Sequence, residues 1–354
     1  MKALRYYKQK DFRIETLAEP SPGPGEAKIK VKWCGICGSD IQEYRSGPQM
    51  VPTKSHPQTG MSAPVTGGHE FSGEITEVGA DISSFAPGDR VVVRPTLPCY
   101  QCHYCRQGRF IQCVVLATLG ASSNGAFAEY AVVRGDCLYK LPDHVSFEQA
   151  TYAEPLACAV RGVERSGMVA GATVVVLGAG PIGLLTMQTA LACGASRVFV
   201  FETVESRRKL AEELGATASF DPREGNPGKL IASLTEGRRA DIVFECAGNA
   251  SALLLADSLS GRGSTILQMG VPSEPVEFPF YNLFMREKTI IASQGYVNDQ
   301  FQTALDFIAS GKVRCDPVMT SAKISLDDIV TKGFEELTGP KGHQHCKILV
   351  TPEG

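Results

Sequence analysis

The sequence predicts an α/β protein of two domains: a β-rich one formed by residues 1–155 with 296–354, and a doubly wound parallel sheet over 156–295. Three observations carry this reading. Short polar–apolar alternations bounded by glycine and proline fill roughly the first 150 positions, as the strands of a barrel or sandwich do. Continuous β-branched runs separated by longer helical stretches follow, which is how parallel strands covered on both faces read. A glycine turn, VVVLGAGPIG, joins the first such run to an apolar helix.

Taken in order, AKIKVKW (27–33) alternates, so one face of that strand is buried; FSGEITEVG (71–79) and DRVVV (89–93) are short runs closed by turn residues. TVVVL (173–177), RVFVF (197–201), DIVFECAG (241–248) and STILQMG (264–270) read as buried parallel strands. SRRKLAEELGA (206–216) has helical spacing and reaches a helix-closing glycine at Gly215. FQTALDFIASG (301–311) reads as a helix and KILV (347–350) as a final strand.

A length of 354 residues with 43% hydrophobic and 21% charged content describes an ordinary globular protein. The net charge of −3 gives no reason to expect nucleic acid or an anionic membrane as partner. Twelve cysteines behind a start as charged as MKALRYYKQKDFRIE point to a reducing compartment, hence the cytoplasm, where thiols serve metals. Residues 166–196 carry no charge, a length that an apolar helix would need to cross a bilayer. Gly178, Gly180, Pro181 and Gly183 interrupt them, so a buried strand, a tight turn and a buried helix are expected instead.

Cys99-x2-Cys102-x2-Cys105-x7-Cys113 is the strongest chemical signal. Zinc takes four soft ligands, and CxxC turns let neighbouring sulfurs converge on one ion. A disulfide pair is the alternative, but Gln101, His103, Tyr104, Arg106 and Gln107 make a polar loop that suits a metal lobe at about 95–115. Four thiolates leave no open position, so the chemistry belongs elsewhere.

In the glycine turn, Gly178 allows the bend, Gly180 lets a pyrophosphate approach the backbone, and Gly183 permits close helix–strand packing, with Pro181 and Ile182 between them. The helix start offers free N–H groups to phosphates. Glu202, at the end of RVFVF, is placed to bind ribose hydroxyls and to repel a 2′-phosphate, which predicts NAD over NADP. Arg207 and Arg208 complicate this, because either suits a 2′-phosphate or the adenine edge equally well. Cys37, His69, Glu70 and Glu154 form a mixed thiolate, imidazole and carboxylate set of the kind that binds catalytic zinc.

CGICGSD (34–40), GHEFSGEITEVG (68–79), GDRVVV (88–93), the cysteine lobe, AEPLA (153–157) and VLGAGPIG (176–183) occur in this order. In that set and order the chain resembles the zinc-dependent medium-chain dehydrogenases/reductases over essentially its whole length. It looks most like their polyol branch, the sorbitol and (R,R)-2,3-butanediol dehydrogenases, the latter through the long segment 43–70 before and including GHE. The resemblance implies a GroES-like catalytic domain, a Rossmann domain, a cleft between them for nicotinamide and zinc, two zinc ions per chain, and a homodimer or homotetramer.

By the same resemblance Cys37 and His69 bind catalytic zinc, with Glu70 and Glu154 as direct or water-linked ligands. Ser39 matches the hydroxyl that takes the alcohol proton, and Lys347 a basic residue that approaches the pyrophosphate. Two positions depart from the pattern. Gln42 stands where many relatives carry the outer histidine of the proton relay, leaving Tyr44 or water as alternatives; Tyr44 suits a packed barrel position equally well. Arg161 stands where relatives often carry histidine, as a helix-surface replacement or as a sign of a more anionic substrate. The implied activity is hydride transfer between a secondary alcohol and NAD. L-threonine and sugar or polyol phosphates are alternative substrates, and a non-catalytic homologue is the alternative of another class.

Overall fold

The computed structural model describes residues 1–272 and 274–353 and divides into two compact units. Met1–Glu154, Val297–Ala309 and Cys315–Gly354 form the first; Pro155–Tyr296 and Ser310–Arg314 form the second.

The first unit opens with β1 (Lys2–Lys8), β2 (Asp11–Thr16), β3 (Glu26–Gly35), helix α1 (Gly38–Ser46), β4 (Val65–Thr66) and β5 (Glu70–Val78). It continues through β6 (Arg90–Val93), β7 (Thr96–Leu97), β8 (Ala117–Thr118), β9 (Tyr130–Arg134), β10 (Leu138–Lys140) and α2 (Phe147–Ala150). Helix α3 (Ala153–Arg165) leads into the second unit, with β11 (Thr173–Leu177), α4 (Pro181–Ala192), β12 (Arg197–Phe201), α5 (Glu205–Glu213) and β13 (Ala218–Phe220). There follow α6 (Pro227–Leu234), β14 (Ala240–Glu245), α7 (Ala250–Leu259), β15 (Ser260–Gln268), α8 (Phe280–Met285) and β16 (Thr289–Ala292). The chain then returns to the first unit through α9 (Asn298–Ala309), β17 (Thr320–Ser325) and β18 (Lys347–Thr351).

In the first unit the main sheet runs β10-β6-β5-β3-β18-β17, with β9 also paired to β3. Strand β3 keeps the expected alternation: Ala27, Ile29 and Val31 are buried while Lys28, Lys30 and Lys32 stay at least partly exposed. The inward set meets Phe71, Ile75, Val91, Val93, Phe127, Ile348 and Val350 in one core. Because β3 pairs with both β5 and β18, the ends of three sequence-distant segments meet at Gly35.

The second unit is a parallel sheet in the order β13-β12-β11-β14-β15-β16. All five residues of β11 are buried, as a central strand covered on both faces requires. Helix α4 is apolar around most of its circumference, with Leu184, Leu185, Met187 and Ala190 fully covered. Thr189 satisfies its hydroxyl on Leu185 O at 2.8 Å. The uncharged stretch is therefore a buried strand–turn–helix, and no helix of the described residues is long and apolar enough to cross a membrane. Strand order reverses between β11 and β14, the crevice where doubly wound sheets bind nucleotides.

Lys288, just before β16, has a side chain that is 0% exposed. It donates to Asp257 O at 2.6 Å and to Asp257 Oδ1 at 2.7 Å, while Asn282 Nδ2 donates to Oδ2 at 3.0 Å. Lys288→Met strands the Asp257 carboxylate and is expected to lower stability by roughly 3–5 kcal/mol. Urea unfolding measures it, and adding Asp257→Asn should recover much of the loss.

Candidate active site

Two clusters of metal-binding side chains form in the first unit. Cys99, Cys102, Cys105 and Cys113 lie between β7 and β8, with their sulfurs within 4.8 Å of one another. The β7–β8 pairing, Thr96 with Thr118 and Leu97 with Ala117, closes the neck of this lobe. All four thiols are free of disulfides. Cys99 Sγ and Cys105 Sγ stand 3.9 Å apart, close to the edge of about 3.8 Å of a tetrahedron with zinc–sulfur bonds near 2.3 Å. Backbone N–H groups point at the sulfurs: Cys102 N reaches Cys99 Sγ at 3.3 Å and Cys99 N reaches Cys113 Sγ at 3.4 Å. The N–H groups of Cys105 and Val114 bring the Cys102 thiol down to about 6, whereas burial pushes Cys105 up to about 12. Such a donor set fits a closed four-thiolate zinc site.

The second cluster joins Cys37, His69 and Glu70, whose ligand atoms also lie within 4.8 Å of one another. Cys37 caps the start of α1, and His69 immediately precedes Glu70, which opens β5. Gly68 makes the approach possible: it has φ +91°, and a Cβ there would sit 2.6 Å from Phe127 N. Asp40 ties two ligands together by accepting Cys37 N–H at 2.9 Å and placing Oδ1 3.5 Å from His69 Nδ1. Glu70 forms a fully buried ion pair with Lys347 Nζ, while Glu70 Oε1 has no hydrogen-bond partner among the described residues. An orphaned carboxylate oxygen beside a thiol and an imidazole is what a three-ligand zinc site with an open position would use.

In the second unit the glycine turn has the expected geometry. Gly178 has φ +92°, a Cβ on Gly183 would stand 1.9 Å from Gly178 O, and no described residue lies within 4 Å of a Cβ on Gly180. The backbone is thus bare at Gly180, the residue before Pro181 and Ile182 of α4, where a pyrophosphate needs access. A cavity of about 460 Å³ opens at the crevice, lined by Gly178, Glu202, Thr203, Arg223, Ala247 and Asn249 among others. Glu202 is fixed there: Oε2 accepts Ala179 N at 2.8 Å, and Oε1 accepts Val204 N at 2.9 Å.

Comparison with known proteins agrees with this arrangement. Residues 23–143 match the alcohol dehydrogenase GroES-like domain, and residues 181–310 match the zinc-binding dehydrogenase domain. The chain is 40% identical to the (R,R)-butanediol dehydrogenase of Bacillus subtilis strain 168, over 99% of this chain and 100% of the relative. The chain belongs to the zinc-dependent medium-chain dehydrogenase/reductase family. Its polyol branch is also represented by the sorbitol dehydrogenase of Halalkalibacterium halodurans, 32% identical over 96% of both chains. Among solved structures, 2R,3R-butanediol dehydrogenase from Bacillus subtilis superposes with a TM-score of 0.93 at 38% identity, covering 99% of each chain. A zinc-binding dehydrogenase from Sinorhizobium meliloti 1021 bound to NADP gives 0.90 at 34% identity, again over 99% of each.

One placement in this dehydrogenase corrects the sequence reading and another decides between two that it left open. Lys347, expected at the pyrophosphate, is buried in the first unit with its ammonium on Glu70. Burial opposes that charge, but Glu70, followed by Cys37 and Glu154, outweighs burial and raises its pKa. Gly35 leaves the space: a Cβ there would fall 2.3 Å from Glu70 Oε2 and 2.8 Å from Lys347 Cε. Tyr44, offered as a pocket or relay residue, is a core side chain, stacked on Phe334 at 5.3 Å and edge-on to Phe12 at 5.3 Å. Aromatic packing wins because α1 turns that face into the barrel.

Ser39 occupies the first turn of α1, half-buried, and its hydroxyl makes no hydrogen bond among the described residues. Gln42 is exposed. Glu154, at the start of α3, acts on Lys347 through its charge but lies outside the tight Cys37–His69–Glu70 group. Arg207 sits in α5 and does not line the cavity; Arg208 instead donates to Glu202 O at 2.7 Å. Sequence reasoning missed Asp40 and Arg223. The Cys37-x-x-Asp40 spacing, an acid three residues into a helix start, was a usable signal for the first.

Burial would lower the His69 pKa, but Asp40 and Cys37 together raise it well above the ordinary imidazole value. The metal-free protein therefore holds a proton that zinc must displace. Zinc affinity at this site is expected to rise with pH, by about tenfold per unit for each proton released, and to fall on acidification. Competition against a chromophoric chelator measures it. Cys37→Ser should halve bound zinc and abolish turnover with the fold retained, whereas Cys102→Ser should lose the other zinc and lower Tm.

Proposed function

We propose that this dehydrogenase oxidises a secondary alcohol of a vicinal diol or polyol to the ketone with NAD as acceptor. The observation that carries it is the Cys37–His69–Glu70 set with its orphaned carboxylate oxygen, in a chain 40% identical over its length to a butanediol dehydrogenase. When bound, zinc would stabilise an alkoxide and the nicotinamide would accept hydride. The chain's own residues do the rest. Asp40 holds Cys37 and His69 in place, and Lys347 holds one oxygen of Glu70 while the other stays available. The uncommitted Ser39 hydroxyl takes the alcohol proton and passes it to solvent, since Gln42 cannot exchange a proton near neutral pH. Glu202, fixed by two backbone amides, favours NAD. Twelve free thiols suit a reducing cytoplasm.

A second substrate reading rests on Arg161. Its Nε is buried without a hydrogen-bond partner among the described residues, and burial followed by Arg165 lowers its pKa against the opposing pull of Glu164 and Cys158. A guanidinium with a spare donor on α3 suits a phosphate or carboxylate on the substrate. A panel of diols, polyols, polyol phosphates and aldonates, followed by NADH formation, separates the two. Diols or neutral polyols should give the highest kcat/KM; anionic substrates leading by tenfold or more would favour the second reading, and silence on all would defeat both.

We also propose that a second copy of this chain covers the open edge of the parallel sheet. Among the described residues strand β16 pairs only with β15, and nearby α8 leaves Tyr281 74% and Phe284 78% exposed. An uncovered edge beside aromatic side chains invites antiparallel pairing with its own copy. Phe284→Glu is expected to shift sedimentation from a dimer or tetramer towards the monomer.

A further inference from the structure

The cavity at the crevice carries more charge than a ribose-binding carboxylate needs. Asp221 follows β13, and its side chain is only 6% exposed. Its Oδ1 accepts Arg223 Nε at 2.8 Å and Arg223 N at 3.0 Å; its Oδ2 accepts Arg223 Nη2 at 2.5 Å and Arg208 Nη1 at 3.4 Å. The same two guanidinium groups also reach the segment that holds the ribose-binding residue. Arg208 Nη1 donates to Glu202 O at 2.7 Å, and Arg223 Nη2 donates to Thr203 O at 2.9 Å. Arg223 lines the cavity together with Glu202.

Two arginines flanking a ribose position are, on their own, a ready 2′-phosphate site, because guanidinium matches phosphate in charge and fork geometry. Here one buried carboxylate engages both. With Glu202 the four side chains sum to zero, so Glu202 meets the ribose without a net positive field behind it.

We infer that Asp221 is a specificity-determining residue for the cofactor: by pairing with Arg208 and Arg223 it withholds the cations that a 2′-phosphate would need. Hydrogen bonds from Arg223, side chain first and backbone second, hold the Asp221 carboxyl well below the usual carboxylate range. The pairing therefore persists at any working pH. Exposed Glu224 adds negative charge next to Arg223 and acts in the same sense.

The inference deepens the NAD reading and is tested separately from it. The wild-type ratio of kcat/KM for NAD over NADP tests that reading alone, and an NADP preference overturns it. The change in the ratio on substitution tests Asp221, whichever cofactor the wild type prefers. Asp221→Asn keeps the shape and an acceptor oxygen but leaves a net positive charge. It should lower the ratio by about tenfold, chiefly through KM for NADP, and the shift should shrink at high salt. Binding of 2′,5′-ADP, followed by calorimetry, should tighten by a similar factor while that of 5′-AMP changes less than twofold, which reads the adenosine end without turnover. Asp221→Asn with Arg223→Gln should return the ratio towards wild type. If Asp221→Asn does not fold, Arg223→Gln alone reads the same charge from the other side and should raise the ratio about fivefold. An unchanged ratio in folded Asp221→Asn, equal tightening of both nucleotides, or a lowered ratio in Arg223→Gln would each overturn the inference.

Discussion

The buried pair of Lys347 and Glu70 is the constraint around which the catalytic unit is arranged. Both charges lie out of water, and an ammonium and a carboxylate tolerate that only when each answers the other. Answering requires β18 to run beside β3 and β3 beside β5, because the lysine, the space left by Gly35 and the glutamate come from those three strands. The same register sets His69 next to Glu70 at the head of β5. Cys37, just past the end of β3, is brought to meet them. The metal set is thus a consequence of strand pairing that a buried charge pair makes hard to shift.

The two metal clusters divide the work by donor count. Four sulfurs converge in a lobe held at its neck by the short antiparallel pairing of β7 with β8, with backbone N–H groups supporting the thiolates. Nothing there is left for substrate. The second cluster brings one thiol, one imidazole and one carboxylate together, and a carboxylate oxygen is still unanswered. Asp40 accounts for its rigidity, since a single carboxylate orients both the cysteine backbone and the histidine ring.

At the dinucleotide end, steric and electrostatic devices operate separately. The glycine turn works by the absence of atoms: Gly183 admits the carbonyl of Gly178, and Gly180 leaves a bare approach. Glu202 works by fixed charge, with its carboxylate committed to Ala179 and Val204 amides rather than free to swing. Arg208, Asp221 and Arg223 set the field around it.

Much of this was legible in the chain because it is encoded locally. Strand alternation at 27–33, the glycine spacing at 178–183 and the four-cysteine spacing at 99–113 each report a geometry that a few consecutive residues impose. Burial of the uncharged stretch as strand and helix followed from its glycines and proline. The placements that were missed or left open are long-range. Lys347 and Glu70 are 277 positions apart (347 − 70), and nothing near either residue announces that their charges cancel. Tyr44 has the residue type of a pocket hydroxyl, but the direction of α1 buries its ring against Phe12 and Phe334. Arg223 is an ordinary loop arginine until β13 places it at the crevice. The sequence by itself determined the elements, the four-cysteine lobe and the phosphate turn, since each depends on spacing along the backbone. Only the tertiary structure decided which charges face one another, because an ion pair depends on distance through space and the sheet alone sets that distance.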